Sequence, residues 1–205
     1  MITIYSERPG GQPATGRESP RGRYGFPMAP APTWRPTARL LVFDALDRVL
    51  LFSADDPRGR VWFTPGGAIQ RGETLAGAAV RELAEETGYL HAEAGLGPVV
   101  ATCAGLWSTA DGRVFFGADS FFLVRVADPV IRTDGQEPLE RSVITGHRWW
   151  TPSDLREATE VVLPCGLPGL VASLLSEGIP ERPRRLPWRA GKGLNKPLPE
   201  LPAYS

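Results

Sequence analysis

Cysteine and lysine are nearly missing from this 205-residue chain, which has two of each: Cys103 and Cys165, Lys192 and Lys196. Two cysteines without a Cys-x-x-Cys pair or Cys/His ligand spacing exclude a disulfide framework and a structural zinc site, so both are expected as reduced, buried thiols. With so few lysines, arginine carries almost all the positive charge, which reads as compositional bias rather than a binding signal. Net charge is also lacking: 23 Lys+Arg balance 23 Asp+Glu, so nothing pulls the whole chain toward nucleic acid or an anionic membrane. No apolar run approaches the length of a bilayer span. The opening residues have no charged start followed by an apolar stretch, so no export leader is expected. These absences point to a cytoplasmic protein without membrane contact. What is present, 42% hydrophobic residues, suffices for one well-buried core and not for two full domains.

Proline (21) and glycine (23) are abundant and unevenly placed. Residues 1–36 are rich in Pro, Gly, Arg and Ser without apolar period, an arm that cannot bury enough surface to offset ordering. Residues 179–205 are Pro-rich and basic, with Arg182, Arg184, Arg185, Arg189, Lys192 and Lys196. The folded domain is therefore expected over residues 37–178, with both tails dispensable and an arm compatible with a homodimer. Within it, residues 39–44 and 49–53 are short apolar runs around a turn, a predicted hairpin. Residues 61–64 form a strand stopped by Pro65, Gly66 and Gly67. Residues 74–87 have helical spacing, Thr74 as N-cap and Gly88 beyond the end. Strands are predicted at 98–103, 113–116, 121–126 and 146–150, then a short helix after Thr151 and another at 167–176. Interleaved strands and helices with hairpins predict an α/β fold with a mixed sheet and helices on its faces.

The helix at 74–87 carries the chemistry. At roughly 100° per residue, Ala76, Ala79, Val80 and Leu83 make one apolar stripe. Glu82, Glu85 and Glu86, related as i, i+3 and i+4, cluster on a neighbouring face. Three carboxylates so close repel one another and need positive charge. Arg81 can pair with Glu85, but one arginine does not neutralise three glutamates. A hard divalent cation would, and Mg²⁺ or Mn²⁺ suits carboxylate oxygens while keeping sites for water and substrate phosphate. A solvated acidic face is the plain alternative for any such run.

Against that alternative stands the full spacing: Gly67, five residues, Glu73, seven residues, Arg81-Glu82-Leu83-x-Glu85-Glu86-x-Gly88. This resembles the Nudix box, departing only at Tyr89, where that family prefers a bulky aliphatic residue. Trp62 to Gly67 and the segment Gly146 to Trp150 are similar to family features as well. The resemblance implies a Nudix-type α/β/α sandwich with a mixed β-sheet. It implies an Mg²⁺-dependent hydrolase cleaving a diphosphate linkage in a nucleoside diphosphate derivative or a nucleoside triphosphate. Residue by residue, it makes Glu85 and Glu86 the principal metal ligands and Glu82 a further ligand or base. The Gly67 carbonyl becomes an extra ligand, Arg81 orients the glutamates, and Glu73 supports the loop. Family members commonly add an acid from outside the box. Here Asp119 is the candidate, with Glu137 and Glu140 behind it.

Weaker signals read as structural. His91 follows the helix in a predicted surface loop, and His147 enters an apolar strand. Trp62, Trp107 and Phe116 could stack on a base, but aromatics at strand spacing are more often core. The substrate partner is expected to be a small nucleotide-like diphosphate. The basic tail lacks the aromatic-interleaved fold that nucleic-acid binding wants. Two other functions share the expected fold. One is a catalytically silent nucleotide-binding module, and the other a diphosphate isomerase, for which Cys103 is the sole plausible side chain.

Overall fold

Asp44 closes the first hairpin. Its Oδ1 accepts the N–H groups of Leu46 (3.0 Å) and Arg48 (2.9 Å), and Asp47 takes a left-handed φ of 57°. This turn joins β1 (Thr33–Phe43) to β2 (Val49–Asp56). The computed structural model describes residues 31–188 apart from 58, 109–111 and 137. After the hairpin come β3 (Gly59–Phe63), β4 (Gly66–Ala68), α1 (Leu75–Thr87), β5 (Val99–Ser108) and β6 (Val114–Arg125). Then follow α2 (Pro138–Val143), β7 (Ile144–Trp150), α3 (Pro152–Glu157), β8 (Val161–Leu163), α4 (Leu167–Glu177) and β9 (Arg184–Arg185).

The nine strands of the described residues belong to one sheet, in the order β8-β3-β2-β1-β6-β5-β9, with β4 also on β1 and β7 also on β2. The β1–β6, β3–β8 and β5–β9 pairs are parallel and the rest antiparallel. Strand alternation sends β1 to both faces. Ala38, Leu40 and Val42 pack with Leu50, Phe52, Phe122, Val124 and the α1 residues Ala78, Ala79 and Leu83. Leu41 and Phe43 pack with Val49, Leu51, Phe121, Trp150, Leu155 of α3, and Leu167, Leu170 and Val171 of α4. The result is the expected α/β/α sandwich on a mixed sheet.

Four readings of the sequence change. The predicted strands 113–116 and 121–126 are one continuous strand, β6, because residues 117–120 run on in unbroken register beside β1. The apolar stripe of α1 is rotated: Ala78, Ala79 and Leu83 are fully buried, and Glu82 and Glu86, expected on the neighbouring face, are buried with them. The expected limits of 37 and 178 are too narrow: residue 37 falls within β1, which starts at Thr33, and past Gly178, which caps α4, β9 adds to β5 at Ala101↔Arg184 and Thr102↔Arg185. Beyond β9, Leu186 and Trp188 pack on the core. Trp188 sits on the cross-strand pair Gly105↔Gly117, where an added Cβ would lie 2.3 Å and 2.7 Å from the indole. Local propensity misses this because a Pro-rich segment acquires order from the surface it covers. Residues 1–30, and the dimer-forming reading of that arm, lie outside the described residues, as do Arg189, Lys192 and Lys196.

Candidate active site

The loop and helix of residues 66–88 are assembled from local signals. Thr74 caps α1 by accepting the Gly77 N–H at 2.8 Å, and the helix stops at Gly88, whose φ of 77° suits glycine. Leu83 and the two alanines anchor the helix to the sheet. That seating puts Arg81 and the glutamates beside β4.

Arg81 is the hub. Its Nε and Nη2 donate to Glu73 at 2.8 and 3.1 Å, and its Nη1 donates to Glu82 Oε1 at 2.8 Å and Glu85 Oε2 at 2.9 Å. Its Nη2 also reaches the Ala68 carbonyl at 3.1 Å. The sequence had paired Arg81 with Glu85 alone; three of the four box carboxylates converge on it. The Arg81 hydrogen bonds hold the Glu73 carboxyl below its usual range against the opposing effect of burial. The Glu73 contact, in turn, raises the Arg81 guanidinium above its already high value. Arg81 thus stays charged at every accessible pH and pins the rotamers of the acids around it.

Glu86 is engaged differently. Its Oε2 accepts the Gly66 N–H at 2.6 Å, and the residue is 3% exposed. Glu82 is 4% exposed and lies under the next residue of the same turn. A Cβ added to Gly67 would stand 2.3 Å from Glu82 Oε1 and 2.7 Å from its Cδ. The turn therefore brings bare backbone against a buried carboxylate, an approach only glycine permits. Glu85 is the more open of the three, its side chain 34% exposed.

The donor chemistry fits a hard divalent cation: Glu82, Glu85 and Glu86 with the Gly67 carbonyl supply only oxygen, and the one guanidinium of Arg81 is shared by three carboxylates. Among the described residues no three Asp, Glu, His or Cys side chains are already gathered as a metal ion would need them. Arg81 and the Gly66 amide hold the acids as they stand.

Asp119 is not among them. It lies mid-strand in β6, in register with Thr37 of β1 and Cys103 of β5. Thr37 Oγ1 donates to its Oδ1 at 2.6 Å. By strand alternation it shares the face of Phe121, which α4 covers, whereas α1 packs on the other. Glu137 lies outside the described residues, and Glu140 is on α2. Cys103 is buried, and burial first, then the Asp119 charge, pushes its thiol well up. A thiol kept protonated, donating to the Pro187 carbonyl at 3.4 Å, is a poor acid–base or nucleophilic group, which weighs against the isomerase reading.

The remaining candidates sit elsewhere. His91 and His147 are exposed, His147 with its ring edge-on to Phe52. Trp62 is core, its indole N–H on Glu160 at 2.8 Å. Trp107 stacks on Phe115, and Phe116 on Trp34. Tyr89 is half-buried against the α1 core and donates its hydroxyl to the Asp128 carbonyl, so the departure from an aliphatic residue is absorbed by packing. Sequence reasoning passed over Arg39, whose Nη1 donates to the Gly66 carbonyl at 2.6 Å. Its signal was a lone charge inside an apolar strand.

Comparison with known proteins agrees with this geometry. The family model for the NUDIX domain matches residues 33–164. The NUDIX domain of Shewanella oneidensis NrtR, solved with ADP ribose, superposes with a TM-score of 0.52 at 19% identity, covering 75% of this chain and 95% of that one. The E. coli ORF135 protein gives 0.49 at 18% identity over 71% and 94%. A C. elegans Ap4A hydrolase gives 0.48 at 16% over 69% and 95%. The NrtR likeness is one of fold. No curated protein matches this sequence.

Proposed function

Since the chain belongs to the Nudix family of hydrolases, we propose that it cleaves a diphosphate linkage in a nucleoside diphosphate derivative or a nucleoside triphosphate, with Mg²⁺ or Mn²⁺ as cofactor. The observation carrying this is the arrangement around α1: one arginine bonded to Glu73, Glu82 and Glu85, with Glu86 on the Gly66 amide. Glu85 and Glu86, with Glu82 and the Gly67 carbonyl, would hold the cation. When bound, it polarises a phosphoryl oxygen and lowers the pKa of a bound water. Arg81 keeps Glu82 and Glu85 in fixed rotamers, so little reorganisation is needed when substrate arrives. Glu82, buried under Gly67, is the proposed base. Asp119 is the proposed additional acid, acting toward substrate from the sheet face it shares with Thr37. The Shewanella domain binds ADP ribose, a molecule of the proposed substrate class. Two free thiols support a cytoplasmic setting, and among the described residues no helix is long and apolar enough to cross a membrane.

Release of phosphate or nucleotide should be followed with and without Mg²⁺ over nucleoside triphosphates, sugar-linked and dinucleoside diphosphates. Mg²⁺-dependent cleavage of at least one class is expected. A second reading, a silent nucleotide-binding module, is favoured by Asp119 being tied to Thr37 away from the glutamates. Nucleotide binding by calorimetry without any turnover would establish that reading instead.

A further inference from the structure

Arg39 is the only charged residue between Ala38 and Phe43, the stretch of β1 that is apolar toward both layers of the sandwich. Placing a guanidinium there forfeits hydration, a cost that hydrogen bonds must offset. They go to one place. Nη1 donates to the Gly66 carbonyl at 2.6 Å, with the Thr64 carbonyl at 3.5 Å, while the Leu40 N–H holds the intervening Pro65 carbonyl at 2.9 Å. Gly66 itself has φ +123°, and a Cβ there would stand 2.2 Å from the Ala38 carbonyl oxygen, so its backbone is wedged against β1.

Both polar groups of Gly66 are thereby held by ionised side chains from opposite layers. Its N–H is taken by Glu86, from the α1 side, and its C=O by Arg39, which alternation puts on the α4 side. Charge-assisted bonds of this length are the strong ones. The dihedrals of Gly66 orient the peptide plane through which the chain enters Gly67, its N–H is the group on which Glu86 rests, and Gly67 is the residue whose backbone presses on Glu82.

We propose that Arg39 is a positioning residue for the divalent-cation site: by holding the Gly66 carbonyl it orients the chain entering Gly67 and seats Glu86 for the metal. This rests on the reading in which Glu82, Glu85 and Glu86 bind the cation. Residues that orient metal ligands typically change affinity by about 10–100-fold when altered. A lysine keeps the charge but has neither the length nor the planar fork of arginine.

The test is Mn²⁺ affinity of the substrate-free full-length protein, by electron paramagnetic resonance, for wild type, Arg39→Met, Arg39→Lys and Glu86→Gln. Arg39→Met should weaken Mn²⁺ by about 10-fold or more and lower kcat more than it raises KM, with Arg39→Lys in between. Thermal melts report whether each variant is folded; if Arg39→Met is not, the same comparison is made on Arg39→Lys. Wild-type Mn²⁺ affinity in a folded Arg39 variant, while Glu86→Gln has lost binding, overturns the positioning role alone. If Glu86→Gln and wild type bind Mn²⁺ equally, the cation-site reading itself falls.

Discussion

Replacing Glu86 by glutamine separates the two things this side chain does. In the folded protein it is buried and accepts the Gly66 N–H at 2.6 Å. Glutamine has the same length and a carbonyl oxygen that can take that bond. The bond loses its charge, and the difference between charged and neutral hydrogen bonds is about 1 kcal/mol. Against this, repulsion with Glu82, at i and i+4, is relieved by about 0.2–0.5 kcal/mol, and a buried amide costs less to desolvate than a carboxylate. The two sides nearly cancel, so the melting temperature should move by no more than about 2–4 °C. Turnover should respond very differently. If Glu86 only pinned the turn, kcat/KM would fall by about 10–100-fold, the range for groups that support a ligand. As a ligand its loss should exceed that, on the order of 10³-fold or about 4 kcal/mol of transition-state stabilisation. The assay is kcat/KM against Mg²⁺ concentration, with a thermal melt of the same preparation. Undiminished turnover by Glu86→Gln at saturating Mg²⁺ refutes the assignment, and a fall in activity that merely tracks a fall in melting temperature refutes the separation.

Asp119→Asn should lower kcat by about 10²-fold, the lower end of what a positioned acid or base contributes, with little change in stability because Thr37 Oγ1 can still donate to the amide oxygen; unchanged kcat would return the base role wholly to Glu82. Ending the chain at Gly178 removes β9 and uncovers Gly105 and Gly117 beneath Trp188. By analogy with deleting a packed tryptophan this should destabilise by about 3–5 kcal/mol, and an unshifted denaturation midpoint would mean the segment is ornamental. At Asp44, burial pushes the carboxyl up, but bonds from Arg48 and the Leu46 amide outweigh it and hold it below its ordinary 3.8. Its contribution to stability is therefore complete above that value and is lost as pH falls through the lower folded pKa. Asp44→Asn should flatten this acid limb when urea midpoints are compared between about pH 2 and 5, and identical curves would remove Asp44 from the account.

Most of the box helix was legible in the chain itself. The Thr74 cap, the Gly88 stop, the apolar spacing and the clustering of Glu82, Glu85 and Glu86 near Arg81 are relations within a few residues, set by helix geometry before any tertiary contact forms. The first hairpin was legible for the same reason. What local pattern could not supply was the facing of each element. Which edge of α1 is buried depends on the sheet beneath it, and this turned Glu82 and Glu86 inward while leaving Glu85 more open. The face on which Asp119 lies depends on the register of β6 against β1, strands some eighty residues apart, and a shift of one residue would reverse it. Arg39 looked like an interruption in a strand until β4 folded back to put the Gly66 carbonyl within its reach. Leu186 and Trp188 lie in a segment with no pattern of its own, ordered only because β5 offers an edge and two glycines leave a seat for an indole.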